Sequence, residues 1–307
     1  MSLPLASESV RCVDFAMANS IDPGGTALAP DVVVLAEVDL PWPKPVGKHE
    51  ALTELVSACQ ERSENIRLLA AEPRGDEPRR VIAFRPVDGG ATRSERSMGA
   101  DHVSALRGVL DDTDADSVLV ESGVTSLLVC TQGSHDLCCG TDGAAFADWA
   151  DQNLEVEVFR VSHTGGHRFA PTAMTIPDGR MWAYLDPPTA IEIVETRREQ
   201  ASVVGQCRGW WGTPTGPAQV GERAVFAELG FDLDTQSRSV VAEEPSADSG
   251  ARRVLVTVDD EGSAQTYAVT VAPGRQVATI ACNAPGGLPV KSGQEWVVTK
   301  GPTALDE

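Results

Sequence analysis

Short β-branched apolar runs that alternate with amphipathic helical stretches predict an α/β (α+β) fold for this chain of 307 residues. Three observations carry that prediction. Runs such as DVVVLAEVDL (31–40) and SLLVC (126–130) have the length of buried strands and fall short of the roughly 20 residues a bilayer span needs. Stretches with helical apolar spacing separate them. The same order of elements then occurs twice along the chain.

The first pass begins with the strand at 31–40, closed by a proline-rich break at Pro41, Pro43 and Pro45. Residues 48–61 predict a helix, because Leu52, Leu55, Val56 and Cys59 share one face. Strands are expected at 65–70 and 80–86, a polar loop at 87–100 and a short helix at 102–110. An acidic linker, Asp111 to Asp116, leads to the second pass.

There, 126–130 is a strand, 142–152 a helix with Ala145, Phe146, Trp149 and Ala150 as its stripe, and 155–161 (EVEVFRV) an alternating strand. Residues 172–177 and 180–185 form a hairpin around Asp178-Gly179, and 187–198 a helix opened by prolines. Strand, helix, strand, hairpin and helix is the layout of a thioredoxin-like sandwich, and the N-terminal half reads as a degenerate copy, so two such units stand in tandem. The expected divisions are 1–115, 116–205 and 206–307, the last a small C-terminal α+β region. Within it, Gly209–Gly216 is a break and 217–230 a helix. A polar loop is expected at 235–251, and short strands at 253–258, 266–272, 276–282 and 295–299.

The formal net charge of -20 repels nucleic acid phosphates and anionic lipid, which sets both aside as partners. The opening MSLPLASESVRC lacks the basic and apolar regions of a signal peptide, so a soluble cytoplasmic protein is expected. In a reducing compartment the seven cysteines are metal ligands, reactive thiols or small core residues rather than a disulfide framework. Cys12, Cys59, Cys207 and Cys282 are scattered and read as small buried hydrophobes. Trp210-Trp211 reads as packing at a domain boundary or as a pocket lining.

The chemistry lies in VCTQGSHDLCCGTDG and, further on, SHTGGHRF. Cys130 ends a strand, where α/β layers place their sites. His163 and His167 are four apart, but Gly165 and Gly166 each disfavour a helix by about 1 kcal/mol, so HTGGH reads as a ligand loop. Two thiolates and two imidazoles suit tetrahedral zinc or a [2Fe-2S] cluster with histidines on one iron. The alternative is that Cys130, Cys138 and Cys139 are core or reactive thiols and the histidines surface residues. Ser134, His135 and Asp136 are neighbours in sequence, which is not how a triad assembles, and read as loop residues beside the site.

The segments LVCTQGSHDLCCG and VSHTGGHRFAPTA, followed by the PDG hairpin, resemble the sucrase/ferredoxin-like family. The likeness is dense over 125–186 and extends thinly to Arg11-Cys12, Gly25-Thr26-Ala27 and Pro41-Trp42. It implies a thioredoxin-like [2Fe-2S] ferredoxin with C-x8-C and H-x3-H ligands, here Cys130, Cys139, His163 and His167, with Cys138 the alternative to Cys139. Two ferric ions, two sulfides, two thiolates and two neutral imidazoles sum to zero charge. Histidine ligation would thus raise the potential, on the order of several hundred millivolts above plant-type ferredoxins. Solvent-facing imidazoles would make that potential fall with rising pH in alkaline solution. Arg168, next to the second histidine, is a donor to the cluster, a charge offered to a partner, or a solvated surface arginine.

No G-x-G-x-x-G, G-x4-G-K-[ST] or G-x-S-x-G occurs, so reducing power would come from a separate redox protein. The implied function is single-electron carriage without substrate turnover. The other two readings are a structural Cys2His2 zinc protein and a thioredoxin-like thiol redox enzyme.

Overall fold

The computed structural model describes residues 10–99, 101–111, 118–120, 123–198, 202–260, 262–282, 284 and 289–305. Most of the expected acidic linker lies outside the described residues. The fold is mixed α and β, built on two sheets.

Helix α1 (Cys12–Ala18) precedes β1 (Val32–Glu37), every residue of which is buried. Helix α2 (Glu50–Gln60) carries the chain to β2 (Ile66–Ala71), parallel to β1. Its stripe holds as periodicity predicts, with Leu52 and Leu55 wholly buried. Each such side chain contributes about 1.5–3 kcal/mol on leaving water. Then β3 (Arg80–Val87) pairs antiparallel with β1, and β4 (Gly90–Ser97) with β3, before α3 (His102–Asp111). A short β5 (Val118–Val120) edges the sheet.

The second half repeats the pattern. β6 (Ser126–Cys130) and β7 (Glu157–Val161) are parallel, joined through α4 (Ala144–Asn153). β8 (Ala173–Ile176) is antiparallel to β6, and β9 (Arg180–Trp182) to β8, followed by α5 (Pro187–Ile191). The strand orders β2-β1-β3-β4 and β7-β6-β8-β9 correspond position for position and in sense. The halves meet where β2 pairs antiparallel with β7 at Ala71 and Val161, which makes one ten-stranded sheet.

The sheet is extended by β10 (Cys207–Trp210) against β9. Helix α6 (Gly216–Leu229) contacts β10 and also the second sheet, formed by β11 (Ser237–Ala242), β12 (Arg252–Asp260), β13 (Ser263–Ile280) and β14 (Pro289–Ala304). Both sheets share one core, in which Leu127, Phe146 and Trp182 cluster with Val220, Phe226, Val254 and Val269.

Four expectations change. The stretch 87–100, read as a polar loop, holds β4, because Arg93 and Glu95 have partners and Ala91 and Ser94 are buried. The stretch 235–251, also read as loop, holds β11. The two strands expected at 266–272 and 276–282 are one, since Pro273 and Gly274 are absorbed by a register shift against β14 and do not end the ladder. The helix expected at 187–198 shortens to α5 plus a π-helical turn, Glu192–Thr196, stopped by Arg197 in the left-handed region at φ 41°.

Candidate metal centre

Parallel pairing decides where the site lies. Cys130 sits opposite Val161 at the carboxyl ends of β6 and β7, so the loops after the two strands leave the sheet side by side. The first loop folds back tightly. A Cβ on Gly140 would lie 2.5 Å from the Gly133 Cα, and one on Gly143 would lie 2.2 Å from the Cys130 carbonyl oxygen. That closeness turns the chain into the π-helical turn Cys139–Gly143 and sets Cys139 against Cys130. In the second loop Gly165 and Gly166 adopt φ 82° and 72°, and a single 3-10 turn starts at His167.

These turns bring together Cys130, Cys139 and His163, whose ligand atoms lie within 4.8 Å of one another. Both sulfurs are fully buried and neither cysteine is in a disulfide. The Cys139 thiol beside it, opposing the effect of burial and aided by His163, holds the Cys130 thiol well below its usual range. Burial lowers the His163 imidazole, which leaves it neutral, the form that binds metals. Its Nδ1 is buried without a hydrogen-bond partner among the described residues. His163 is also held by its backbone: its N–H donates to Gln132 Oε1 at 3.0 Å, and its carbonyl accepts from Arg67.

His167 stands beside this group, its ring centroid 5.9 Å from that of His163. Its Nδ1 faces away, 3.1 Å from Asp136 Oδ2 and 3.3 Å from Cys12 Sγ. His135 stacks on His163 with centroids 3.5 Å apart, and burial with the neighbouring imidazoles pulls its pKa down to about 3. The reading of His135 and Asp136 as loop residues beside the site matches this placement but missed their contacts. Asp136 is buried and accepts from the backbone N–H groups of Cys138 and Cys282.

Cys138 belongs elsewhere. With Cys12, Asp136 and Cys282 it forms a second group, whose ligand atoms again lie within 4.8 Å of one another. Cys12 and Cys282, read from sequence as scattered buried thiols, converge here from positions 270 residues apart. The vicinal pair Cys138-Cys139 was the sequence signal available, because neighbouring side chains in a turn diverge, here into two different groups.

Arg208 was not singled out in the sequence. It lies buried beneath the histidine loop and donates to Gly165 O at 3.2 Å and Thr26 Oγ1 at 3.1 Å. Burial, with Arg168 nearby, lowers its pKa to about 10, while the Cys130 and Cys139 thiols oppose that. The guanidinium of Arg168 lies 4.2 Å over the Phe169 ring with its Nε buried, so it is not a solvated surface arginine. Trp211 is buried against Gly179, where a Cβ would touch its ring, and Trp210 stacks under Arg238.

No helix among the described residues is long and apolar enough to cross a membrane. No curated protein and no solved structure matches the chain. A family model described as sucrase/ferredoxin-like matches residues 23–209, over half of the chain, including the loops that carry Cys130, Cys139, His163 and His167. The chain is thus a member of the sucrase/ferredoxin-like family.

Proposed function

We propose that this protein is a cytoplasmic electron carrier whose [2Fe-2S] cluster is held by Cys130, Cys139, His163 and His167, and that each half of the large sheet is a thioredoxin-like unit. One observation carries the reading: two buried, unbridged thiols and the His163 imidazole converge at the mouth of two parallel strands, and the ring's Nδ1 is buried without a partner among the described residues. The donor chemistry fits. Soft thiolates and neutral imidazoles are the ligands such a cluster takes, and an orphaned buried nitrogen is costly unless something binds it.

When bound, such a cluster accepts and releases one electron at a time. This chain's residues shape that capacity. Asp136 Oδ2 lies 3.1 Å from His167 Nδ1, which fixes the ring's orientation and would direct Nε2 to a bound metal. Arg208 supplies a buried positive charge under the loop. The choice of Cys139 over Cys138 is supported by their separation into two groups. The thiol redox enzyme reading is disfavoured by the full burial of Cys130, Cys138 and Cys139, since a reactive thiol needs access.

The partner is a separate redox protein. The negative surface favours a basic docking face and disfavours nucleic acid and anionic membrane.

The test is electron paramagnetic resonance of the dithionite-reduced protein with iron and sulfide analysis. A reddish-brown protein with two irons per chain and a half-spin signal, lost in Cys130→Ser, is expected. A colourless protein with zinc bound at Cys130 and Cys139 would end the reading.

A further inference from the structure

The geometry points to a second metal site, distinct from the first: a zinc ion held by Cys12, Cys138, Cys282 and Asp136. Four donors from three remote segments meet there, from helix α1, the loop before Cys139 and the chain just past β13. Cys12, Asp136 and Cys138 are fully buried and Cys282 half-buried.

The distances suit one ion. Tetrahedral zinc–thiolate bonds of about 2.3 Å set two sulfurs about 3.8 Å apart. Cys12 and Cys138 sulfurs lie 3.7 Å apart, Cys138 and Cys282 sulfurs 3.3 Å, and Asp136 Oδ1 lies 3.3 Å from Cys12 Sγ. A disulfide needs about 2.05 Å and leaves one of three thiols over.

The surroundings call for a cation. Asp136 is fully buried, and its two carboxylate oxygens accept the backbone N–H groups of Cys138 and Cys282 at 3.0 and 3.1 Å. A buried carboxylate packed on three thiols gains little from them, because a thiol is a weak donor. A divalent ion satisfies all four groups at once, and each thiol that binds releases its proton to solvent. Three soft thiolates with one carboxylate form a closed set that suits zinc in a structural role. Arg11, ion-paired with Asp142, stands beside Cys138 and offsets the negative charge of the filled site.

Cys12 and Cys282 lie outside the family match, which spans 23–209. The ion would therefore staple the chain's two flanks to the loop that carries the first site. Asp136 belongs to both, with Oδ1 toward Cys12 and Oδ2 toward His167.

The full-length protein as purified is analysed for zinc and iron together. One zinc per chain is expected, with Cys12, Cys138 and Cys282 shielded from alkylation until zinc is chelated. Cys282→Ala is expected to lose at least four-fifths of the zinc while iron content and visible absorption stay unchanged. Iron is read separately, so a missing cluster with zinc present leaves this site standing and defeats only the reading of the first. Absence of zinc from the native protein overturns the proposal whether or not any variant folds. So does a disulfide among the three cysteines in peptide mapping, or iron in place of zinc at this site.

Discussion

At His163 a neutral imidazole stands where a thiolate would add a negative charge. His163→Cys is therefore expected to lower the reduction potential, by on the order of a few hundred millivolts if the shift follows the difference between histidine- and cysteine-ligated clusters. Protein-film voltammetry reads it, and an unchanged potential would remove His163 from the ligand set. With the proposed cluster bound, Arg208 would act through charge in the same direction, because a buried cation favours an added electron. Arg208→Gln should lower the potential, whereas Arg208→Lys should restore it while losing stability, since lysine cannot reproduce the fork to Thr26 and Gly165. An equal potential in both variants would make the arginine purely structural. The C-x8-C and H-x3-H spacings were visible in the sequence. Arg208 was not, because no local pattern marks an arginine that reaches a loop 43 residues away.

At the level of elements, the glycines of the cysteine loop are constraints on backbone approach. Gly143→Ala drives a Cβ into the Cys130 carbonyl, a backbone atom that cannot swing aside, and should destabilise the fold by about 1–3 kcal/mol. Urea titration followed by far-ultraviolet circular dichroism would report that loss, and wild-type stability would show that the turn can shift. Element type was legible where periodicity was strong, as in α2, β1 and β6. It failed at β4 and β11, whose faces carry Arg, Glu and Ser, because their charges are satisfied by neighbouring strands and by other parts of the chain. It failed at Pro273-Gly274 because a long hairpin can pass such a break with a register shift.

Across the whole molecule, the two sheets are linked through Glu222 and Asp234, which pair both with Arg180 of β9 and with Arg238 of β11. Arg180 is the first of these partners. Its guanidinium is fully buried, donates to Glu222 of α6 at 2.9 Å and to Asp234 at 2.8 Å, and lies 3.7 Å from the Phe226 ring centroid. Arg180→Met would leave two buried carboxylates without their main partner and should cost about 3–5 kcal/mol at neutral pH. Burial alone would raise the Asp234 carboxyl, but Arg180, Arg238 and Arg197 outweigh it and hold it below the ordinary range. The unfolded chain therefore takes up this proton first as pH falls. The stabilisation is complete above the ordinary carboxylate range and drains away as pH drops through it toward the folded value. Urea midpoints measured from pH 7 to pH 3 should fall for the native protein, and the gap to Arg180→Met should narrow. A constant gap would show that Asp234 does not titrate with folding.

What the sequence determined by itself was local: the strands and helices with clear apolar spacing, the mixed α and β class, and the two short motifs whose residue types suit a metal. Those follow from side-chain periodicity and donor chemistry, which act over a few residues. The tertiary structure alone decided that the halves join edge to edge at Ala71 and Val161 and that Cys138 turns from Cys130 toward Cys12 and Cys282. It also decided that Asp136 and Arg208 close in on the histidine loop. Such pairings depend on strand register and on which loops leave the same sheet edge, and no interval along one chain encodes either.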